Sequence, residues 1–233
     1  MSSRRRNRPK DASPTEKQVG LGNEYLIEGR IDDAREAYLK ALEHDPKNAE
    51  AWNNLGIIAE NLGKTLDALK FYNKALKLRP RYSAAWCNKA MALSRLKRDK
   101  KAMECLDLSL KISPRNPVAW MNKGIMFSRK GDFKTALFCF DKALALDDEY
   151  PIAWLNKGIA LIKLGKSKEA VSALDKSIEQ RPDLSEIWYQ KARALILTGN
   201  KEAAQICFER VAELEPKLQR IASEDQTRTE GEV

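Results

Sequence analysis

Pro117-Val118-Ala119-Trp120-Met121-Asn122-Lys123-Gly124 returns 34 residues later as Pro151-Ile152-Ala153-Trp154-Leu155-Asn156-Lys157-Gly158. The same interval separates Trp52, Trp86, Trp120, Trp154 and Trp188, with no insertion or deletion between them. A fixed period of this size denotes an array of small units, each too thin to bury its own apolar face and so stacked on its neighbours. With tryptophan as position four, the units begin at Ala49, Ser83, Pro117, Pro151 and Ser185. The frame extends backwards to Thr15, with Leu21, Gly22, Tyr25, Ala34, Tyr38, Ala41 and Pro46 in register and Gln18 in place of tryptophan. Six repeats result, over residues 15–48, 49–82, 83–116, 117–150, 151–184 and 185–218.

Other columns hold equally well. Position eight is Gly56, Ala90, Gly124, Gly158 and Ala192, and position twenty is Ala68, Ala102, Ala136, Ala170 and Ala204. Position twenty-four is large (Tyr72, Leu106, Phe140, Leu174, Phe208) and position twenty-seven is small apart from Val211 (Ala75, Ser109, Ala143, Ser177). Apolar residues recur at three and four spacing within each half repeat, which predicts two helices. Gly29, Gly63, Gly131, Gly165 and Gly199 mark the end of the first helix, where a left-handed residue closes the last turn at least cost. Lys97 stands there in the third repeat, so that turn is expected to be less stable. Ser13-Pro14-Thr15-Glu16 reads as a capping box and Asn116-Pro117 as a similar start. Small residues at positions eight and twenty allow close helix approach, with tryptophan and position twenty-four filling the remaining space. On that reading Trp120→Ala costs about 3–5 kcal/mol locally.

The run Trp52-x-x-Leu55-Gly56, then Ala68, Tyr72, Ala75 and Pro80, resembles the tetratricopeptide repeat. Proline or its substitute closes the motif at Pro80, Pro114, Asp148, Pro182 and Pro216. The resemblance implies an all-α fold, an α-solenoid of six helix-turn-helix repeats wound as a right-handed superhelix. It also implies a concave groove lined by the first helices and a function in binding peptides or other proteins. Two columns depart from the family pattern. Position seven is Lys89, Lys123, Lys157 and Lys191 where leucine is usual, and position eleven is Ala59, Leu93, Phe127, Leu161 and Leu195 in place of tyrosine. The lysines are expected to lay their stems along packed surface and bring their heads to water.

Helix geometry, at about 100° per residue, indicates which side chains line the groove. With the tryptophan side taken as inward, positions two, six, nine and thirteen point the other way and position five lies on a flank. Position six carries Asn54, Asn88, Asn122, Asn156 and Gln190, a column of amides suited to the backbone of an extended peptide. It resembles the asparagine ladder of some tetratricopeptide proteins, although local helix–helix bonding would serve the same residues. Positions two, five and nine add Val118 and Ile152, Met121 and Leu155, and Met91, Ile125 and Ile159. Such an apolar stripe offers side-chain pockets or packs adjacent first helices together. Position thirteen contributes a basic rail of Arg95, Arg129 and Lys163, favouring a ligand of mixed acidic and apolar character. The carboxylate clamp that grips chaperone tails in this family is not completed. Asn23, Asn54 and Asn88 occupy relevant positions, but Val19 and Ala84 stand where lysines are needed, and Asn88 where arginine is.

Composition bounds the remaining classes. The 233 residues are 32% charged with a net charge of +9, and no apolar run approaches the ~20 needed to cross a bilayer. A cytoplasmic protein is expected, with no membrane partner. Cys105, Cys139 and Cys207 share position twenty-three, as small apolar fillers do; no metal or cofactor is expected, and His44 is the one histidine. Without a phosphate loop or a histidine-based triad, an enzyme is not expected. The basic segment from residue 1 to 14 and the polar one from 219 to 233 read as disordered tails, with Leu218 and Ile221 available for a short capping helix. The expected function is a protein-interaction scaffold binding an extended peptide segment of a partner. The alternatives are RNA or anionic-surface binding through the basic excess and the N-terminal arginines, with Tyr189 the one candidate stacking platform in the groove, and a self-associating assembly, monomer and homo-oligomer both being open.

Overall fold

The computed structural model describes residues 12–215; the basic start, Pro216, Leu218 and the polar end expected as tails lie outside them. Among the described residues there are twelve helices and no strand. They are α1 (Pro14–Ile27), α2 (Ile31–His44), α3 (Ala49–Asn61), α4 (Thr65–Leu78), α5 (Ser83–Arg95) and α6 (Asp99–Ile112), then α7 (Pro117–Arg129), α8 (Phe133–Leu144), α9 (Pro151–Lys163), α10 (Ser167–Gln180), α11 (Ser185–Leu197) and α12 (Lys201–Leu214). Each repeat is one helical hairpin. The chain divides into two compact units, the first ending at Ile112 and the second beginning at Ser113, so each holds three hairpins.

The turn inside each hairpin is the same device. Gly29, Gly63, Gly131, Gly165 and Gly199 have φ between +71° and +82°. The amide one residue beyond then donates back to position eleven, as in Lys64 N to Ala59 O at 2.8 Å and Lys166 N to Leu161 O at 2.9 Å. Lys97 keeps that geometry at φ +58°, with Arg98 N donating to Leu93 O at 2.9 Å. Starts follow the sequence as well. The Ser13–Glu16 capping box forms in both directions, and the Asn116 side chain accepts from Ala119 N. Where Asp148 replaces proline, α8 stops at Leu144 and is two residues shorter than the other second helices.

Close approach within a hairpin depends on position eight. A Cβ on Gly124 would lie 2.5 Å from Cε1 of the fully buried Phe140, and one on Gly22 would lie 2.5 Å from Cε1 of Tyr38. Between repeats, position three of a first helix packs on positions twenty-seven and twenty-eight of the preceding second helix, as Ala51 does on Ala41 and Leu42, and Ala153 on Ala143 and Leu144. Where position twenty-seven is serine, its hydroxyl bonds the carbonyl that opens its own repeat: Ser109 Oγ to Ser83 O at 3.0 Å and Ser177 Oγ to Pro151 O at 2.8 Å.

The tryptophans are only partly buried, and they act as straps more than as filler. Each indole Nε1 donates to the position-thirty-two carbonyl of the preceding repeat: Trp52 to Pro46 at 3.0 Å, Trp86 to Pro80 at 2.8 Å, Trp120 to Pro114 at 2.9 Å, Trp154 to Asp148 at 2.8 Å and Trp188 to Pro182 at 2.9 Å. The bond needs a carbonyl and no particular side chain, so Asp148 serves as well as proline. The position-seven lysines also differ from expectation. The Lys157 and Lys191 side chains are only 24% and 21% exposed, and their ammonium groups pair with Asp141 and Asp175 at 2.7 and 2.6 Å. Each also lies over the indole three residues earlier, Lys157 at 5.1 Å from the Trp154 centroid and Lys191 at 5.7 Å from that of Trp188.

Two substitutions test the turns and the close approach, both read by urea unfolding. Lys97→Gly relieves a left-handed side chain and raises stability by about 1 kcal/mol. Gly124→Ala drives a methyl into the Phe140 ring and lowers it by about 1–3 kcal/mol.

Candidate binding faces

Within a unit, a first helix packs on its own second helix, on the second helix of the preceding repeat (α3 on α2, α5 on α4, α9 on α8, α11 on α10) and on a neighbouring first helix. Within a unit the first helices touch one another, α3 with α5, α7 with α9, and α9 with α11. Those contacts swallow position five. Asn53, Cys87, Met121 and Leu155 are all buried, at 8% exposure or less. What remains open is a narrow strip of positions two, nine and thirteen.

The amide column lies at the margin of that strip. Asn54, Asn122 and Gln190 are buried, while Asn88 and Asn156 are partly exposed. In the first unit the amides join into a chain that crosses three hairpins. Tyr38 Oη donates to Asn23 Oδ1 at 2.7 Å, and Asn54 Nδ2 donates to the same oxygen at 2.9 Å. Asn53 Nδ2 then donates to Asn54 Oδ1 at 3.0 Å, and Asn88 Nδ2 to Asn53 Oδ1 at 3.0 Å. In the second unit the pattern is looser. Asn156 Nδ2 donates to Ile152 O of its own helix at 2.7 Å, and Gln190 sits between Glu186 (2.7 Å) and Arg193 (3.1 Å). Of these, Asn53 lies outside the columns read from sequence, and Asn23 and Tyr38 enter there only as a clamp position and a frame residue. The available signal was two adjacent asparagines at positions five and six, one for each neighbour.

The two units expose different strips. In the first, positions two, nine and thirteen are Glu16, Asn23 and Ile27, then Glu50, Ile57 and Asn61, then Ala84, Met91 and Arg95. Arg95 is exposed, and its Nε pairs with Glu60 Oε2 at 3.2 Å, so this cation is matched from within. In the second unit the first two helices present Val118, Ile125 and Arg129, then Ile152, Ile159 and Lys163. Val118 is 43% exposed, the three isoleucines are half-buried, and both cations are exposed. Tyr189 is engaged rather than open: the Arg193 guanidinium lies 5.9 Å from its centroid and the Phe208 ring meets it edge-on at 6.3 Å.

Titrating groups are placed for packing. Burial pushes the Tyr38 hydroxyl up to about 12, and Tyr72 is also raised by burial, with Glu60 adding to the effect. Cys105, Cys139 and Cys207 are buried and their thiols are pushed up for the same reason, Cys139 to about 11, which keeps them protonated and unreactive. His44 is exposed at the end of α2. Among the described residues no group of three or more His, Cys, Asp or Glu converges as metal ligands, and no helix is long and apolar enough to cross a membrane.

Stacked hairpins with this turn, this close approach and this strap define a helical repeat protein. Tetratricopeptide repeat models match residues 19–82, 71–104, 117–150, 139–172 and 161–223, and the chain belongs to the tetratricopeptide repeat family. No curated protein sequence matches the chain. Similar solved structures include the APC/C hetero-tetramer Cut9–Hcn1, at a TM-score of 0.85 and 21% identity over 92% of this chain; this chain spans only 42% of that one. PilF of Pseudomonas aeruginosa gives 0.80 and 22% over 92% of this chain and 97% of that one. YrrB, described as a repeat protein with an unusual peptide-binding site, gives 0.63 and 22% over 83% and 99%. At these identities the likeness is one of fold.

The raised Tyr38 value fixes a pH dependence. A group whose folded value lies above its unfolded value near 10 contributes its full stability below pH 10, and loses it as pH climbs towards about 12. Tyr38→Phe is therefore expected to flatten the fall of the urea midpoint between pH 10 and 12 relative to wild type.

Proposed function

We propose that this protein is a protein-interaction scaffold that holds an extended segment of a partner on the first-helix face of its second unit. The observation that carries the reading is the strip of Val118, Ile125, Ile152 and Ile159 left partly open on α7 and α9, with Arg129 and Lys163 at its end. Half-exposed aliphatic side chains in a row lose contact with water when covered, at about 25 cal/mol per Å² of apolar surface. The cations favour acidic residues in whatever covers them. Asn156 adds a polar contact, since its Nδ2 bonds Ile152 O and its Oδ1 remains to accept from a peptide N–H. The binding surface described for YrrB, on a similar fold, supports a peptide as the ligand class.

The first unit offers a second, more polar strip, in which Asn88 Oδ1 and Met91 are the accessible members of the expected site. The buried members act from behind. Asn54, Asn122, Gln190, Met121 and Leu155 hold the first helices in register and so set the spacing of the strip.

The test is panning a random peptide library on the full chain, followed by affinity measurement of the selected peptides. The variant is Val118→Glu with Ile152→Glu, because glutamate already occupies position two at Glu16, Glu50 and Glu186 and the helices keep their fold. Selected peptides are expected to mix acidic and apolar residues and to lose at least tenfold in affinity, about 1.4 kcal/mol, on the variant. Undiminished binding to a variant of unchanged helical content overturns the proposal.

A further inference from the structure

A cavity of about 190 Å³ opens in the first unit on the other side of the first helices, where α2, α3 and α4 meet. Its walls are Leu39, Leu55, Leu62 and Phe71, with Ile58 and Ala59 also lining it. Its rim carries Arg35, Lys64 and Asp67. The residues that line it break the repeat pattern. At the equivalent place in the second unit, ion pairs join position seven to position twenty-five of the preceding repeat, Lys157 with Asp141 and Lys191 with Asp175. In the second repeat position seven is Leu55 and the preceding position twenty-five is Leu39, so the charged pair becomes two leucines. Phe71 adds a third departure: its column is otherwise alanine or cysteine (Ala37, Cys105, Cys139, Ala173, Cys207). Its ring stacks on Trp52 at 5.8 Å and remains only partly buried.

We propose that this cavity is a docking site for one aromatic side chain of a partner segment that is acidic on either side of that residue. Three observations determine the occupant. The volume suits a single ring, since an apolar cavity of about 150 Å³ holds benzene. The walls are open apolar surface: Leu39 is 43% and Leu62 50% exposed, more than buried packing leaves, and the Phe71 ring offers an aromatic face to an incoming ring. The rim is basic. Asp67 is paired with Lys70 at 2.8 Å, while Arg35 and Lys64 have no ion pair among the described residues and are available to carboxylates. The site is separate from the strip on the second unit and does not depend on it.

The array supplies its own control. Leu39→Asp with Leu55→Lys installs the pair found at the equivalent place, Lys157 with Asp141, so it replaces two apolar walls of the cavity with an ion pair the fold already tolerates. The probe is a blocked, fluorescein-labelled decapeptide with one phenylalanine between acidic pairs, titrated by anisotropy against the full chain. Its counterparts carry alanine for phenylalanine, or lysines for the acids. Wild type is expected to bind the first peptide saturably and at least tenfold more tightly than either counterpart. The ion-pair variant, checked by circular dichroism and thermal unfolding, loses that preference, and Arg35→Glu with Lys64→Glu reverses the choice between acidic and basic flanks. Equal binding by wild type and the ion-pair variant overturns the proposal. So does an alanine peptide that binds as well, or the absence of saturable binding at millimolar protein. Loss only in the Val118→Glu, Ile152→Glu variant would assign the peptide to the first-helix strip of the second unit and also overturn it.

Discussion

A pair of helices of twelve to fourteen residues cannot bury its own apolar faces, and the arrangement of each unit follows from that shortage. The remedy is the junction between one repeat and the next. Within a unit, alanine at position three packs on positions twenty-seven and twenty-eight of the hairpin before it, as Ala51, Ala85 and Ala153 do, and the indole at position four reaches back to a carbonyl. The strap lies at the edge of the junction, so a large amphipathic ring suits it: its body covers apolar surface while its one donor finds a fixed acceptor. Where the column has lysine beside the tryptophan, the ammonium over the indole adds a further hold on the same junction.

The period alone discloses most of this. It locates the hairpins, the glycine turns and even the odd turn at Lys97, because these features are set within a single repeat. Residues 117 to 124 and 151 to 158 predict the same backbone twice, and the same backbone forms twice. Features set between repeats were harder to read. A wheel drawn for one helix separates a packed side from an open side, but α9 has neighbours on three sides. Met121 and Leu155 therefore read as groove residues from the wheel and are buried between first helices. The amide of Asn54 sits likewise against Asn23, and Asn122 is buried, with the open strip reduced to positions two, nine and thirteen.

The outer cavity was harder still, because no single residue announces it. Leu39, Leu55 and Phe71 are each ordinary apolar residues in helices. Only their coincidence at one meeting point, where the fifth and sixth repeats have a lysine–aspartate pair instead, lines the hole. Departures from a repeat carry information in proportion to how they cluster in space, and sequence order scatters these three over more than thirty residues. The same holds for the amide chain from Tyr38 to Asn88, whose members come from four helices.

The indole straps make the chain its own spectrometer. Five tryptophans make five equivalent bonds to position-thirty-two carbonyls, and the first repeat, with Gln18 in the column, has none. Replacing four of them with phenylalanine leaves a single emitter bonded to one known carbonyl. Its emission would then follow the opening of that one junction, letting the order in which the hairpins come apart be seen one seam at a time.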